Sequence, residues 1–122
     1  FVTAPTPLTS ARAQLYKEYA KWLVSEMYVN RSDALEKSEQ LIFQAGLETA
    51  QIDVLKLAVR WLVSEIYISR GDALKKGETY VIQSKLTLSL FEALKKEYNA
   101  QMQLHKPREE ALKAAESKIL HL

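Results

Sequence analysis

An internal repeat constrains this chain more than any other feature. Residues 21–47 align with residues 60–86 at an offset of 39, and 14 of the 27 aligned positions are identical. A partial third copy at 108–117 aligns with residues 70–79 at an offset of 38. A fixed period of this size is typical of repeat architectures, in which each unit buries its apolar face against its neighbours.

The spacing of apolar residues predicts that the repeated units are helical. Apolar residues recur every three or four positions, which is the pattern of one buried helix face. The residues of the second helix that are expected to face inward are Ala34, Leu35, Leu41, Ile42 and Ala45. Those of the third helix are Ile52, Leu55, Val59, Leu62 and Ile66. The 122 residues include only three glycines and three prolines, which favours long helices with short connections over many short strands. The predicted fold class is all-α, with six helices in three tandem antiparallel hairpins of period about 39, stacked as a short solenoid or a compact bundle.

The same reasoning predicts the organisation of the chain. Residues 1–9 include two prolines and are predicted to be an extended tail, and residues 10–122 to be a single helical-repeat domain. The predicted hairpins are 10–46, 47–85 and 86–122. Ser10 is expected to cap the first helix, which should run to about Val29.

Helix boundaries are predicted from capping residues. Asn30 lies three residues before Asp33, and Ser69 lies three before Asp72, so both copies predict a helix start at the same place. Pro107 is the equivalent residue of the third copy and is a favoured first-turn residue. Other predicted boundaries are a stop at Gly46 and a capping box of Ser89 with Glu92.

Several residues are kept between the copies. Trp22 with Trp61, and Tyr28 with Tyr67, are expected to pack in the core of each hairpin, and ligand stacking is the alternative. The small residues Ser38, Gly77 and Ala115 occupy one position of the second helices, which predicts a close approach of two helices there. The first-turn arginines Arg31 and Arg70 are expected to pair with Glu26 and Glu65, or to be solvated.

One turn of each repeat resembles a known family. The run Tyr67-Ile-Ser-Arg-Gly71-Asp72, followed by Ala73-Leu74, is similar to the middle of a tetratricopeptide repeat. The period here is 39 or 38, whereas that family has about 34 residues per repeat. The resemblance implies an array of helical hairpins that binds peptides or proteins.

Cationic residues recur on the first helix of each hairpin. Lys17, Lys56 and Lys95 are equivalent at the 39-residue offset, and Lys21 and Arg60 are equivalent one turn later. In a stacked array these five residues would form two adjacent rows that could bind an acidic peptide or a carboxylate terminus. The alternative is a solvated helix face.

Signals for other functions are few. The chain has no cysteine, its two histidines do not form a metal-ligand motif, and no glycine-rich loop could hold a phosphate. No catalytic, cofactor or metal site is predicted. The net charge of +2, with acidic and basic residues interleaved, does not predict nucleic-acid binding, and no helix has the pattern of a membrane-surface helix.

The sequence therefore predicts a non-catalytic protein–protein interaction module, acting as an adaptor, inhibitor or effector. A structural homo-oligomer that assembles through its apolar ends, such as a homodimer using Ile119, Leu120 and Leu122, is the alternative. Enzyme and nucleic-acid-binding functions are less favoured. The chain begins at Phe1, which fits either export after removal of a leader or a cut in a longer chain. Asn30-Arg31-Ser32 is a glycosylation sequon if the protein is secreted from a eukaryote.

Overall fold

The computed structural model describes residues 10–122, and the regular structure of these residues is entirely helical. The predicted all-α class with six helices is confirmed, whereas the predicted tail at 1–9 lies outside the described residues. A turn of π-helix extends α2 at Gln40–Gln44 and another extends α6 at Glu116–Leu120. The helices are α1 (Ser10–Ser25), α2 (Arg31–Glu39), α3 (Thr49–Ser64), α4 (Arg70–Gln83), α5 (Leu88–Met102) and α6 (Arg108–Ala115).

The chain divides into two compact units, and the boundary falls within α3, between Ile52 and Asp53. In the first unit α1 packs against α2, and in the second α5 packs against α6. Within the second unit α4 also lies against α3, where Gly77 approaches Val59. The single domain over 10–122 and the boundaries of three hairpins stay predictions.

Two predicted helix starts are confirmed by their capping bonds. The Asp33 N–H donates to Asn30 Oδ1 at 2.9 Å, and the Asp72 N–H donates to Ser69 Oγ at 3.4 Å. Asn30 also donates from Nδ2 to Asp33 Oδ2 at 2.7 Å, so the two side chains of the first cap hold each other. The repeat therefore preserves the position of the cap although the capping residue changes from Asn to Ser.

The starts of the last two helices differ from the predictions. Pro107 is the N-cap of α6 instead of a first-turn residue, because it has an extended ψ of 151° and the helix begins at Arg108. The predicted capping box of Ser89 with Glu92 is wrong. Thr87 caps α5 instead, since its Oγ1 accepts a hydrogen bond from the Leu90 N–H at 3.2 Å. A threonine two residues earlier performs the same capping chemistry.

The helix α1 ends at Ser25, four residues before the predicted end at Val29. Tyr28 adopts a left-handed conformation with φ of 55°, and the Val29 N–H bonds to the Leu23 carbonyl at 3.1 Å. This bond spans six residues, one more than the corresponding bond of a Schellman motif, so a left-handed residue closes the helix with a wider last turn. The apolar pattern continues past the helix end because Met27 is still buried after the backbone has left the helix.

The same closure recurs at the end of α3. Tyr67 has φ of 61°, and the Ile68 N–H bonds to the Leu62 carbonyl at 3.1 Å. The side chains of Tyr28 and Tyr67 are 72% and 70% exposed, so the predicted core packing of these tyrosines is wrong. Both lie at the left-handed position that follows a helix, outside the buried face. The predicted stop at Gly46 is confirmed by its φ of 71°.

An arginine of α1 fixes the end of the second helix in the first unit. Arg12 Nη1 donates to the carbonyls of Ile42 at 2.7 Å and Leu47 at 3.0 Å, and Arg12 Nη2 lies 2.7 Å from Glu48 Oε1. Carbonyl groups at a helix end lack partners within the helix, so a cation that reaches them stabilises the end. This role of Arg12 was not predicted from the sequence.

The core follows the predicted apolar faces in both units. The five residues predicted to form the inward face of the third helix are at most 5% exposed, although Ile66 follows the end of α3; they are Ile52, Leu55, Val59, Leu62 and Ile66. Ser38 and Ala115 are fully buried, and Gly77 is buried, which confirms the small position on the second helices. The predictions that Leu35 and Ala45 face inward are wrong, since both are exposed. Among residues 10–122, no helix has the length and apolar character that a bilayer span requires.

Candidate functional site

An open groove between α1 and α2 is the strongest candidate site of the first unit. Its volume is about 390 Å³. The two helices contribute side chains from one face each, so the groove runs along their contact. The lining residues are Lys17, Ala20, Lys21 and Val24 from α1, with Arg31, Ala34 and Leu35 from α2.

Helical periodicity explains why these residues share the groove. Lys17, Lys21 and Val24 follow one another at spacings of four and three residues, which places them on one face of α1. On α2, the cap at Asn30 starts the helix so that Arg31 lies in the first turn, one turn before Leu35. The sequence predicted Lys17 and Lys21 as partner-binding residues, and the structure places both beside the same groove.

The groove combines cationic and apolar side chains. Its charged lining residues are Lys17, Lys21 and Arg31, and none of the carboxylates within residues 10–122 lines it. Its apolar lining includes Val24 and Leu35, which are 42% and 39% exposed. Arginine binds a carboxylate through two parallel hydrogen bonds, and lysine adds a point charge. The surface therefore matches an anionic segment that also presents an apolar side chain.

The other predicted cations lie in different surroundings. Lys56 is half-buried and Arg60 is exposed, both on α3. On α5, Lys95 Nζ lies 3.2 Å from Glu92 Oε1 and 4.6 Å from the centre of the Phe91 ring. The charge of Lys95 is thus balanced within its own helix. The two rows of five cations proposed from the sequence stay a prediction.

A second hollow lies between α3 and α5 and has a volume of about 470 Å³. Trp61 packs edge-on against Phe91 and Tyr98, with ring centres 5.9 and 5.4 Å apart. Its polar lining contains both acidic and basic groups, including Glu65, Lys95 and Lys96. Because these charges oppose each other, the hollow shows no preference for the charge of a ligand. Trp61 supports the packing of α5 on α3 but is only half-buried, whereas its repeat equivalent Trp22 is 6% exposed, so the predicted core position is confirmed for Trp22 alone.

A buried polar cluster in the second unit was missed by the sequence analysis. Glu116 is 8% exposed, its Oε2 accepts a hydrogen bond from the Tyr80 hydroxyl, and Lys76 Nζ lies 3.0 Å from the same oxygen. Burial, and next the bond to Glu116, raise the pKa of Tyr80 far above its ordinary value. The one available signal was that the three copies of the repeat have a glutamate at the same position, as Glu39, Glu78 and Glu116. The cluster joins α4 to the end of α6.

Metal-ligating side chains do not converge in the described part of the chain, where no group of three or more His, Asp or Glu residues could hold an ion. Two further groups have shifted pKa values. Burial is the main cause that raises the pKa of Tyr98, and a hydrogen bond from Gln101 is the main cause that lowers the pKa of Glu97. Both shifts arise from ordinary packing and hydrogen bonding.

No protein-family model matches the chain, and no curated protein or solved structure is significantly similar to it. The likeness to tetratricopeptide repeats therefore stays a resemblance of one turn per repeat.

Proposed function

We propose that this chain is a non-catalytic protein-interaction module, built from three tandem antiparallel helical hairpins in the manner of tetratricopeptide-like arrays. It binds an acidic segment of a partner protein through the cationic surface of α1 and α2. The observation that carries the proposal is the grouping of Lys17, Lys21 and Arg31 along one groove, with no carboxylate of the described part of the chain in its lining. Complementary charge of this kind speeds association and selects partners.

The small free energy of an exposed ion pair limits how much charge alone can contribute to binding. An exposed ion pair contributes only about 0.2–1 kcal/mol. Three such pairs are too weak to hold a partner tightly, so apolar contacts must add to them. The recurrence of cations at Lys56 and Arg60 supports a surface used more than once along the repeat.

Affinity capture tests the proposed function. The purified chain would be used as bait in an extract of cells that produce it, alongside a variant with Lys17→Glu and Lys21→Glu. A matched control carries Lys96→Glu and Lys113→Glu, two exposed lysines whose reversal changes the net charge equally. We expect the groove variant to lose the partner and the control to keep it. Capture that survives in the groove variant would refute the proposal, and Lys56→Glu with Arg60→Glu tests the second row in the same way.

The alternative function is a structural homo-oligomer that uses the apolar C-terminal end. The structure supports it less, because Leu120 is buried at 5% exposure and Ile119 is half-buried, so that Leu122, which is 43% exposed, would have to supply most of the apolar contact. Multi-angle light scattering over a range of concentrations separates the two functions. A stable dimer that Leu122→Asp dissociates would favour the oligomer, and a monomer would favour the interaction module.

A further inference from the structure

We infer that the groove between α1 and α2 binds an acidic amphipathic helix, with one large apolar side chain of the ligand seated between Val24 and Leu35. The inference rests on the proposed function and adds to it the chemistry and conformation of the bound segment. It makes the apolar contact, as well as the charge, a condition of binding.

The apolar part of the groove supports the first element of the inference. Val24 comes from α1 and Leu35 from α2, and each keeps about two fifths of its surface open, at 42% and 39%. Ala20 and Ala34 line the groove beside them and are buried. Because the alanines are short, the larger side chains stand on either side of an opening. The volume of about 390 Å³ lies near the lower end of ligand sites, which run from roughly 300 to 1,000 Å³.

The spacing of the cations supports the second element. Lys17 and Lys21 are one helical turn apart, which is a rise of about 6 Å along α1. Two carboxylates four residues apart on a ligand helix have the same rise, so both can face the lysines at once. Arg31, at the first turn of α2, lies on the other side of the groove and can donate hydrogen bonds to a third carboxylate. A helix in a groove is a recurring mode of peptide recognition.

A synthetic peptide tests the inference directly. The probe is a fluorescent alanine-based helix of about 16 residues, with glutamates four residues apart and one leucine on the same face. Fluorescence anisotropy should show binding to the full chain that weakens as salt rises. We expect Lys17→Glu with Lys21→Glu to weaken binding at least about tenfold, and the equally charged Lys96→Glu with Lys113→Glu to leave it unchanged.

The apolar contact has its own matched pair of variants. Leu35→Ala should weaken binding about fivefold, because it removes apolar area from the groove. Leu57→Ala should have no effect, since Leu57 on α3 is exposed to nearly the same extent, at 40%. Circular dichroism of each variant verifies that the helical content is unchanged, so a loss of binding reports the groove itself.

Other outcomes overturn the inference without ambiguity. If a peptide whose leucine is replaced by alanine binds as tightly as the original peptide, the groove recognises charge alone and has no apolar site. A dimer of the chain dissociated by Lys17→Glu with Lys21→Glu would assign the groove to a second copy, and binding to anionic vesicles in place of peptide would assign it to lipid. If no peptide binds while the lysine reversal still abolishes partner capture, the inference fails and the proposed function stands. If the reversal leaves capture intact, the proposed function itself fails.

Discussion

Glu39 in the first unit and Glu116 in the second occupy the same position of the sequence repeat, but only one of them is buried. Glu39 ends α2 and is exposed. Glu116 follows α6, is 8% exposed, and contacts the Tyr80 hydroxyl and the Lys76 ammonium. The repeat thus preserves the residue and its place relative to the helix, whereas the neighbouring helix decides whether the carboxylate is solvated or is part of the core.

The largest expected effect comes from removing this carboxylate. Glu116→Ala should lower the free energy of unfolding by about 3 kcal/mol, because it leaves the Tyr80 hydroxyl buried without its acceptor and removes the ion pair of Lys76. Glu39→Ala should change stability by less than about 0.5 kcal/mol, since Glu39 is exposed. Urea unfolding of both variants measures the difference.

A second variant separates charge from hydrogen bonding at the same site. Glu116→Gln keeps an oxygen that can accept from Tyr80 but loses the charge that attracts Lys76, so its loss should lie between those of the two alanine variants. Equal losses for Glu39→Ala and Glu116→Ala would show that the burial of Glu116 contributes nothing to stability, and the contrast between the units would disappear.

The units also differ at the small position shared by Ser38 and Gly77. In the first unit Ser38 Oγ donates to the Tyr16 carbonyl at 2.7 Å, which ties α2 to α1. In the second unit a Cβ placed on Gly77 would lie 2.7 Å from Val59 Cγ2 and 3.7 Å from the carbonyl oxygen of Leu55, the residue equivalent to Tyr16. In the first unit a hydrogen bond joins the two helices at this position, whereas in the second unit the helices approach closely because Gly77 has no side chain.

Placing a side chain at Gly77 tests this contrast. Gly77→Ala should lower stability by about 1–2 kcal/mol, because the clash with the buried Val59 exceeds the gain of about 1 kcal/mol in helix propensity. Gly71→Ala in the same helix is the matched control, since a Cβ there meets nothing within 4 Å, and it should stabilise the protein. Thermal unfolding compares the two. A stabilising Gly77→Ala would mean that α4 can move away from α3 at little cost.

The buried phenol adds a pH dependence that belongs to the second unit. The raised pKa of Tyr80 means that the unfolded chain releases this proton near the ordinary value of about 10 while the folded chain retains it. The folded state then binds more protons than the unfolded state, so stability falls as pH rises above about 10. The slope from this one group approaches roughly 1.4 kcal/mol per pH unit.

Tyr80→Phe removes that group and should flatten the fall in stability between about pH 10 and 11. Urea unfolding of both chains at pH 7 and at pH 11 measures the change, and only the difference between the two slopes is interpreted. Tyr98, whose pKa is also raised chiefly by burial, contributes equally in both chains. Parallel slopes would show that the Tyr80 hydroxyl is solvated in the folded protein.

The accuracy of the sequence predictions follows from how local each feature is. The caps at Asn30 and Ser69, the stop at Gly46 and the buried face of α3 depend on a few neighbouring residues, and all were predicted. The groove was found in part, because helical spacing placed Lys17 and Lys21 together. Its apolar side was missed, since Leu35 follows the inward-facing Ala34 in an apolar pattern and was assigned to the core.

The failures involve conformations or partners that the local pattern does not encode. A tyrosine at a left-handed position is unexpected, because glycine adopts that conformation more easily. The predicted burial of Tyr28 and Tyr67 therefore extended the helix one turn too far. Glu116 required knowledge that α4 brings Tyr80 and Lys76 to it, which involves residues 36 and 40 positions away.

The smallest expected effect concerns the left-handed residues that follow the helices, which include Tyr28 and Gly46 in the first unit and Tyr67 and Lys85 in the second. A tyrosine there costs about 1–2 kcal/mol of backbone strain that glycine avoids. The ring of Tyr67, however, lies 4.5 Å from the Arg108 guanidinium carbon, and an exposed cation–π contact contributes about 0.5–1 kcal/mol. Tyr67→Gly should therefore change stability by less than about 1 kcal/mol, because relief of strain offsets the lost contact and the greater flexibility of the unfolded chain.

A double-mutant cycle of Tyr67→Ala and Arg108→Ala should give a coupling of about 0.5–1 kcal/mol, and a coupling of zero would leave the tyrosine at this turn without a structural reason.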